Sequence, residues 1–144
     1  MHLNQFFAFD CWANELWFDY LLGQDWPSPE KVVFGHILSA QKVWSDRILD
    51  GVSPTNMPVL PFEKPVIADL CKRWTGIVDQ FDEGHRFEYK RTTGEPNWST
   101  VGETARHLIN HGTYHRGELR GLCRAAGRTE FPETDLLLWS MLQR

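Results

Sequence analysis

Thr100-Val-Gly-Glu103-Thr-Ala-Arg-His107-Leu-Ile-Asn-His111-Gly-Thr-Tyr-His115-Arg-Gly-Glu118-Leu119 has the form of a helix start followed by a helix face that carries chemistry. Thr100 and Glu103 stand at capping-box spacing, in which hydroxyl and carboxylate satisfy amides that the first turn leaves without partners. The apolar positions Leu108, Leu119, Leu122 and Ala126 carry the stripe on to Gly127, a natural stop. Within it three histidines recur every four residues, so their imidazoles point the same way along a helix. Neutral imidazole is the commonest side-chain metal ligand, and two of them one turn apart can grip a single divalent ion.

A helical wheel separates the three. With Leu108 at zero, Leu119 and Leu122 fall at about +20 and −40 degrees, His115 at about −20, and His111 at about −60. His107 falls at about −100 degrees, on the shoulder of that face, beside Glu118 and Tyr114. His111 and His115 are therefore the expected ligands, set in an apolar seam where an imidazole without a partner carries a desolvation cost. The alternative is that each simply hydrogen-bonds a neighbour. An HExxH peptidase motif is absent, because Gly112 stands where its Glu would follow the first histidine.

Periodicity elsewhere predicts three more long helices. Phe6, Phe9, Ala13, Leu16, Trp17, Tyr20 and Leu21 mark the first, from Leu3 to Leu22, with Gly23 as its stop. Ser28 and Pro29 open the second, which runs through Val33, Ile37, Ala40, Trp44 and Ile48 to end near Asp50. Four prolines between Val52 and Pro65 make that segment a long connection. Pro65 opens the third, striped by Ile67, Leu70, Cys71, Trp74, Ile77, Val78 and Phe81, with Gly84 as its expected end. From Phe87 to Thr100 the pattern changes to short alternating segments around a Gly turn, which suggests a small β-hairpin or an extended loop. A last apolar run, Leu136 to Trp139, is long enough only for a short helical segment over one end.

The expectation is an all-α fold, a four-helix bundle formed by residues 1–144 as one domain, with ligands projecting inward from facing helices. At 144 residues and 42% hydrophobic content, the chain can bury a real core. A net charge of −4 gives no electrostatic reason to expect nucleic acid. The lack of a spanning apolar run and of a basic leader predicts a soluble, cytoplasmic protein with no membrane partner. Three cysteines, Cys11, Cys71 and Cys123, at wide spacing suit reduced core thiols better than disulfides.

The third ligand should come from another helix. His2 is terminal and His85 follows Gly84 in a polar run, whereas His36 sits inside the second helix among Val32, Val33, Phe34, Ile37, Ala40 and Val43, where a histidine needs a reason. Three histidines with an open fourth position is the plan of a catalytic metal site.

The order of His36 with Trp44 after it, then Asn110-His111-Gly-Thr-Tyr-His115-Arg-Gly-Glu-Leu119, resembles the DinB family, also called DinB/YfiT-like, over nearly the whole chain. Phe9-Asp-Cys-Trp12-Ala13-Asn14 is similar to its opening motif and Thr134-Asp135-Leu-Leu-Leu-Trp139 to its closing one. The resemblance implies an up-down-down-up bundle, a divalent metal, commonly zinc or nickel, on His36, His111 and His115, and frequent homodimers. His107 occupies a position where the family often has histidine that is not a ligand, and Glu118 stands where Gln is frequent.

Some relatives are thiol S-transferases that use bacillithiol or mycothiol, which makes transfer of a low-molecular-weight thiol to a small-molecule substrate the leading expectation. Hydrolysis by metal-bound hydroxide, or a stress-related metal-binding module without turnover, are the alternatives. Candidate catalytic residues are Glu118, to orient His107 or a ligand imidazole; Arg116, to pair a carboxylate or phosphate or else form a surface ion pair; and His107. Gly112 would leave space beside the metal or allow close helix packing. Thr113, Gly117 and Gly121 form a small-residue stripe suited to a second subunit.

Overall fold

The computed structural model describes residues 1–25 and 27–144. Among them the chain is mostly helical: α1 (Leu3–Leu21), α2 (Pro29–Asp50), α3 (Lys64–Gln80), a hairpin of β1 (Arg86–Lys90) and β2 (Pro96–Thr100), then α4 (Val101–Ala125) and α5 (Leu136–Leu142). The ends follow local chemistry. Ser28 Oγ accepts the Lys31 amide and Pro29 occupies the first turn of α2, while Gly51 closes that helix at φ 63°. Thr100 and Glu103 cap each other reciprocally at the start of α4. No described helix is long and apolar enough to cross a membrane.

The third helix stops at Gln80, four residues before Gly84, because Phe81 is already extended. The turn that follows is tied to α4 instead: Glu83 O accepts the Gly102 amide and His85 O accepts that of Val101. A Cβ on Gly102 would stand 2.9 Å from Glu83 Cβ, so only glycine admits this approach. The segment before α4 is the hairpin, antiparallel from Arg86 opposite Thr100 to Lys90 opposite Pro96. Period-two alternation puts Phe87 and Tyr89 on one face. Phe87 is buried with Phe7, Trp74, Val101, Ala105 and Leu108, and Tyr89 packs edge-on against Trp44 of α2.

Helix α1 lies along α3 and α2 along α4. Phe7 stacks on Trp74 with ring centroids 5.0 Å apart, and Cys11 and Cys71 on the same two helices form a disulfide. This corrects the expectation of reduced thiols. Spacing along the chain does not say which helix faces meet, and α1 and α3 meet at these two residues. Cys123 alone is free, and it is buried. A second cluster of Trp17, Phe18, Leu21, Phe34, Ile37 and Leu119 fills the other end. Helix α5, capped by Asp135, lays Trp139 on Phe9 and Ala13.

Between these apolar clusters sits a polar node. Arg116 Nη1 of α4 donates to Asp10 Oδ1 at 2.6 Å and Asn14 Oδ1 at 2.8 Å, both on α1. Asp10 Oδ2 accepts from Gln41 Nε2 of α2 at 2.6 Å and from Asn14 Nδ2 at 3.0 Å. Through the Gln41 carbonyl, which takes the Trp74 indole N–H at 3.0 Å, the node reaches α3. Asp10, Asn14, Gln41 and Arg116 are all buried. Removing one partner of a buried ion pair leaves the other uncompensated, at a cost of about 3–5 kcal/mol. Urea unfolding of Arg116→Ala should therefore show a loss of that order; a loss below about 1 kcal/mol, the scale of a surface pair, would contradict the node's structural role.

Candidate metal centre

His36 of α2 meets His111 and His115 of α4 where the two helices pack, with one ligand-capable atom of each within 4.8 Å of the others. Nε2 of His111 lies 3.0 Å from Nε2 of His36. The ring centroids of His36 are 4.8 Å from those of His111 and His115, which are themselves 4.4 Å apart. Zinc–imidazole bonds of about 2.0–2.1 Å at tetrahedral angles separate ligand nitrogens by about 3.3 Å. The His36–His111 pair is already near that separation, so the donor set fits one divalent ion.

His115 Nδ1 is 2.7 Å from Glu118 Oε2. That contact selects between the roles expected of Glu118: it orients a ligand-candidate imidazole rather than His107, and it leaves His115 Nε2 for the shared centre. A carboxylate on the far nitrogen also raises an imidazole's basicity as a ligand. His111 has no such partner, since its buried Nδ1 makes no hydrogen bond among the described residues. Burial, then the neighbouring imidazoles of His115, His36 and His107, push the pKa of His111 down to about 4.

The histidines are less deeply set than the wheel implied. His36 is exposed and His111 and His115 are half-buried. The buried face of α4 comprises Val101, Gly102, Thr104, Ala105, Leu108, Gly112, Arg116, Leu119 and Cys123, centred at about +45 degrees on the same wheel. Treating Leu108, Leu119 and Leu122 as the centre missed that a glycine and an arginine belong to the core. The histidines occupy the edge of the α2/α4 seam, where a ligand can reach them. His107, further round, is exposed; its ring lies 5.6 Å from that of His111 and 6.1 Å from that of Trp44.

Both readings of Arg116 give way. Its guanidinium is 3% exposed and bound to Asp10, Asn14 and Thr113, so it is neither a surface ion pair nor free to meet a substrate. Of the two readings of Gly112, close packing is the one seen: a Cβ there would stand 2.7 Å from Asp10 Oδ1. The stripe of Thr113, Gly117 and Gly121 is exposed. His2 and His85 are exposed and outside the histidine group. The node residues Asp10, Asn14 and Gln41 escaped the sequence reading. Their signal was a polar pair at i,i+4 interleaved with the apolar Phe9 and Ala13.

Beside the histidines lies a cavity of about 440 Å³, in whose wall His36, His107 and His111 share places with Trp44, Arg47 and Tyr89. Helices that bring three imidazoles to one edge beside such a cavity define a helical protein with a candidate metal centre. The model of the DinB family matches residues 18–142, and the chain belongs to that family. It is also 41% identical over 46 residues to the protein DinB of Bacillus subtilis (strain 168), a match covering 32% of this chain and 26% of that protein. The match thus spans about a quarter of the length of this curated relative. No solved structure matches.

The depressed pKa of His111 has a sign that can be checked. Above the ordinary value of 6.5 the ring is neutral whether the chain is folded or not. Between 6.5 and about 4 the unfolded chain binds the proton and the folded one does not, so stability falls as the pH drops through that window. Melting curves of metal-free protein should lose less stability over this range in His111→Asn than in wild type; equal losses would contradict the shift.

Proposed function

We propose that His36, His111 and His115 hold one divalent metal ion, zinc or nickel, and that the protein is a metal-dependent enzyme transferring a low-molecular-weight thiol of the bacillithiol or mycothiol type. The carrying observation is the convergence of three imidazoles from two helices at an edge that opens beside a cavity. A bound divalent ion there supplies Lewis acidity, which lowers the pKa of a thiol or water that reaches it. The chain's own residues hold the ligands and shape the approach. Glu118 turns His115 by accepting from its Nδ1–H, and the buried pair of Arg116 with Asp10 fixes the rotation of α4 that presents His111 and His115 to α2.

Thiol transfer is favoured over hydrolysis by the acidity of the group to be ionised. None of the cavity's described lining residues is a carboxylate and Glu118 is engaged by His115, which leaves the His107 imidazole as the candidate base in the wall. A thiol needs less help, since its unperturbed pKa is about 8.5 against about 15.7 for bulk water. The neighbour relations α1–α3, α2–α4, α1–α4 and α2–α3 support a four-helix bundle of up-down-down-up order. We place the homodimer contact on the exposed stripe of Thr113, Gly117 and Gly121.

Elemental analysis of protein purified without chelator should find one ion per chain in wild type and His107→Ala, and little in His36→Ala, His111→Ala or His115→Ala. Glu118→Gln should bind metal about 10–100-fold more weakly. Conjugation of bacillithiol or mycothiol to electrophiles should require the loaded protein. Full metal content in His36→Ala would overturn the ligand set, and conjugation by metal-free protein would overturn the mechanism.

A further inference from the structure

Arg47 is a buried cation with no anionic partner among the described residues. It is 7% exposed, and its guanidinium lies between two aromatic rings, 4.4 Å from the centroid of Trp44 and 4.6 Å from that of Tyr89. Among the described residues its one hydrogen bond runs from Nη2 to the Lys90 carbonyl at 3.2 Å. Nε is buried and has no partner among the described residues, and no carboxylate among them forms an ion pair with it. Its nearest acidic neighbours along α2 are occupied: Asp46 pairs with Lys42 and Arg73, and Asp50 with Arg73. Arg91, also in the cavity wall, pairs with Glu95 instead.

Arginines are almost never fully buried unless paired. Stacking on aromatic faces recovers part of the desolvation cost, but the donors that the Lys90 carbonyl leaves unused in the planar fork are suited to a carboxylate. Burial accordingly pulls the pKa of Arg47 down, with only Tyr89 opposing. The residue lines the same cavity as His36 and His111. On α2 it lies three turns beyond His36, about 16 Å along the axis. Ala40, Val43 and Met57 give the space between them apolar walls.

We propose that this cavity binds a small organic carboxylate, its charged end paired with Arg47 and its apolar body running along α2 in the direction of the histidines. The proposal deepens the enzymatic reading above and rests on it for what happens at the histidines, while the pairing with Arg47 needs no metal. Arg47 is a specificity-determining residue in this arrangement, and Trp44 and Tyr89 hold its fork in place.

The test is a titration of metal-free, ¹⁵N-labelled full-length protein with three probes of similar body: 3-phenylpropanoate, 3-phenylpropan-1-ol and 2-phenylethyl phosphate. The carboxylate should move the Arg47 Nε–H resonance in a saturable way and bind more tightly than the alcohol. Arg47→Gln should weaken carboxylate binding about ten- to a hundredfold, the scale of a charge-assisted hydrogen bond, and leave the alcohol unchanged. Equal binding of acid and alcohol, or an unchanged Arg47→Gln, would overturn the proposal. Tighter, Arg47-dependent binding of the phosphate ester would overturn the carboxylate assignment. If Arg47→Gln does not fold, the wild-type resonance and the acid-to-alcohol ratio still decide. His115→Ala, at the one histidine of the three outside the cavity wall, separates the two readings: it should lose metal and keep the Arg47-dependent carboxylate binding.

Discussion

A carboxylate and a guanidinium buried together at the meeting of three helices cost several kcal/mol per ion in desolvation unless geometry and further hydrogen bonds offset it. Asp10 and Arg116 meet that condition: both Asp10 oxygens are engaged, by Arg116 on one side and by Gln41 and Asn14 on the other. The pair fixes more than stability. Because Arg116 must point into the node, His115, one residue earlier and about 100 degrees round the helix, must point to the adjoining face, where α2 packs. Gly112 completes the constraint, since any side chain there would press on Asp10 Oδ1. The arginine that follows the histidine is thus part of what aims it.

The elements themselves were legible because their signals are local. Ser28-Pro29 and the Thr100–Glu103 box each act within one turn, and each marks a boundary observed here. The hairpin was legible as alternation around a Gly turn, and His36, His111 and His115 as histidines on helix faces. What escaped depends on which faces meet. The Cys11–Cys71 bond and the core placement of Arg116 are set by residues at least sixty positions away, and the turn after Gln80 is tied to the start of α4. A wheel drawn on leucines alone could not show that Gly112 and Arg116 lie nearer the centre of the buried face than the histidines do.

The shift of the histidines from seam to edge is what makes the site usable. Imidazoles sealed in an apolar core would cross-link two helices and admit nothing further; at the edge, His36 and His111 belong to the wall of a cavity that extends along α2 towards the hairpin. The hairpin is consequently more than a connection. Through Tyr89 and the Lys90 carbonyl it holds Arg47 in place, and through Phe87 it is anchored in the same core that carries Leu108 of α4. One packed unit therefore positions both ends of the cavity, the histidines at one and the guanidinium at the other.

In the proposed centre a single metal ion joins α2 to α4 through three imidazoles and keeps a further position open. X-ray absorption at the metal edge of zinc-loaded protein tests it most directly. Three imidazole ligands, one further oxygen donor and no sulfur are expected, with the oxygen replaced by sulfur when a low-molecular-weight thiol is added. Two or fewer imidazoles, or a cysteine sulfur in the resting site, would contradict it.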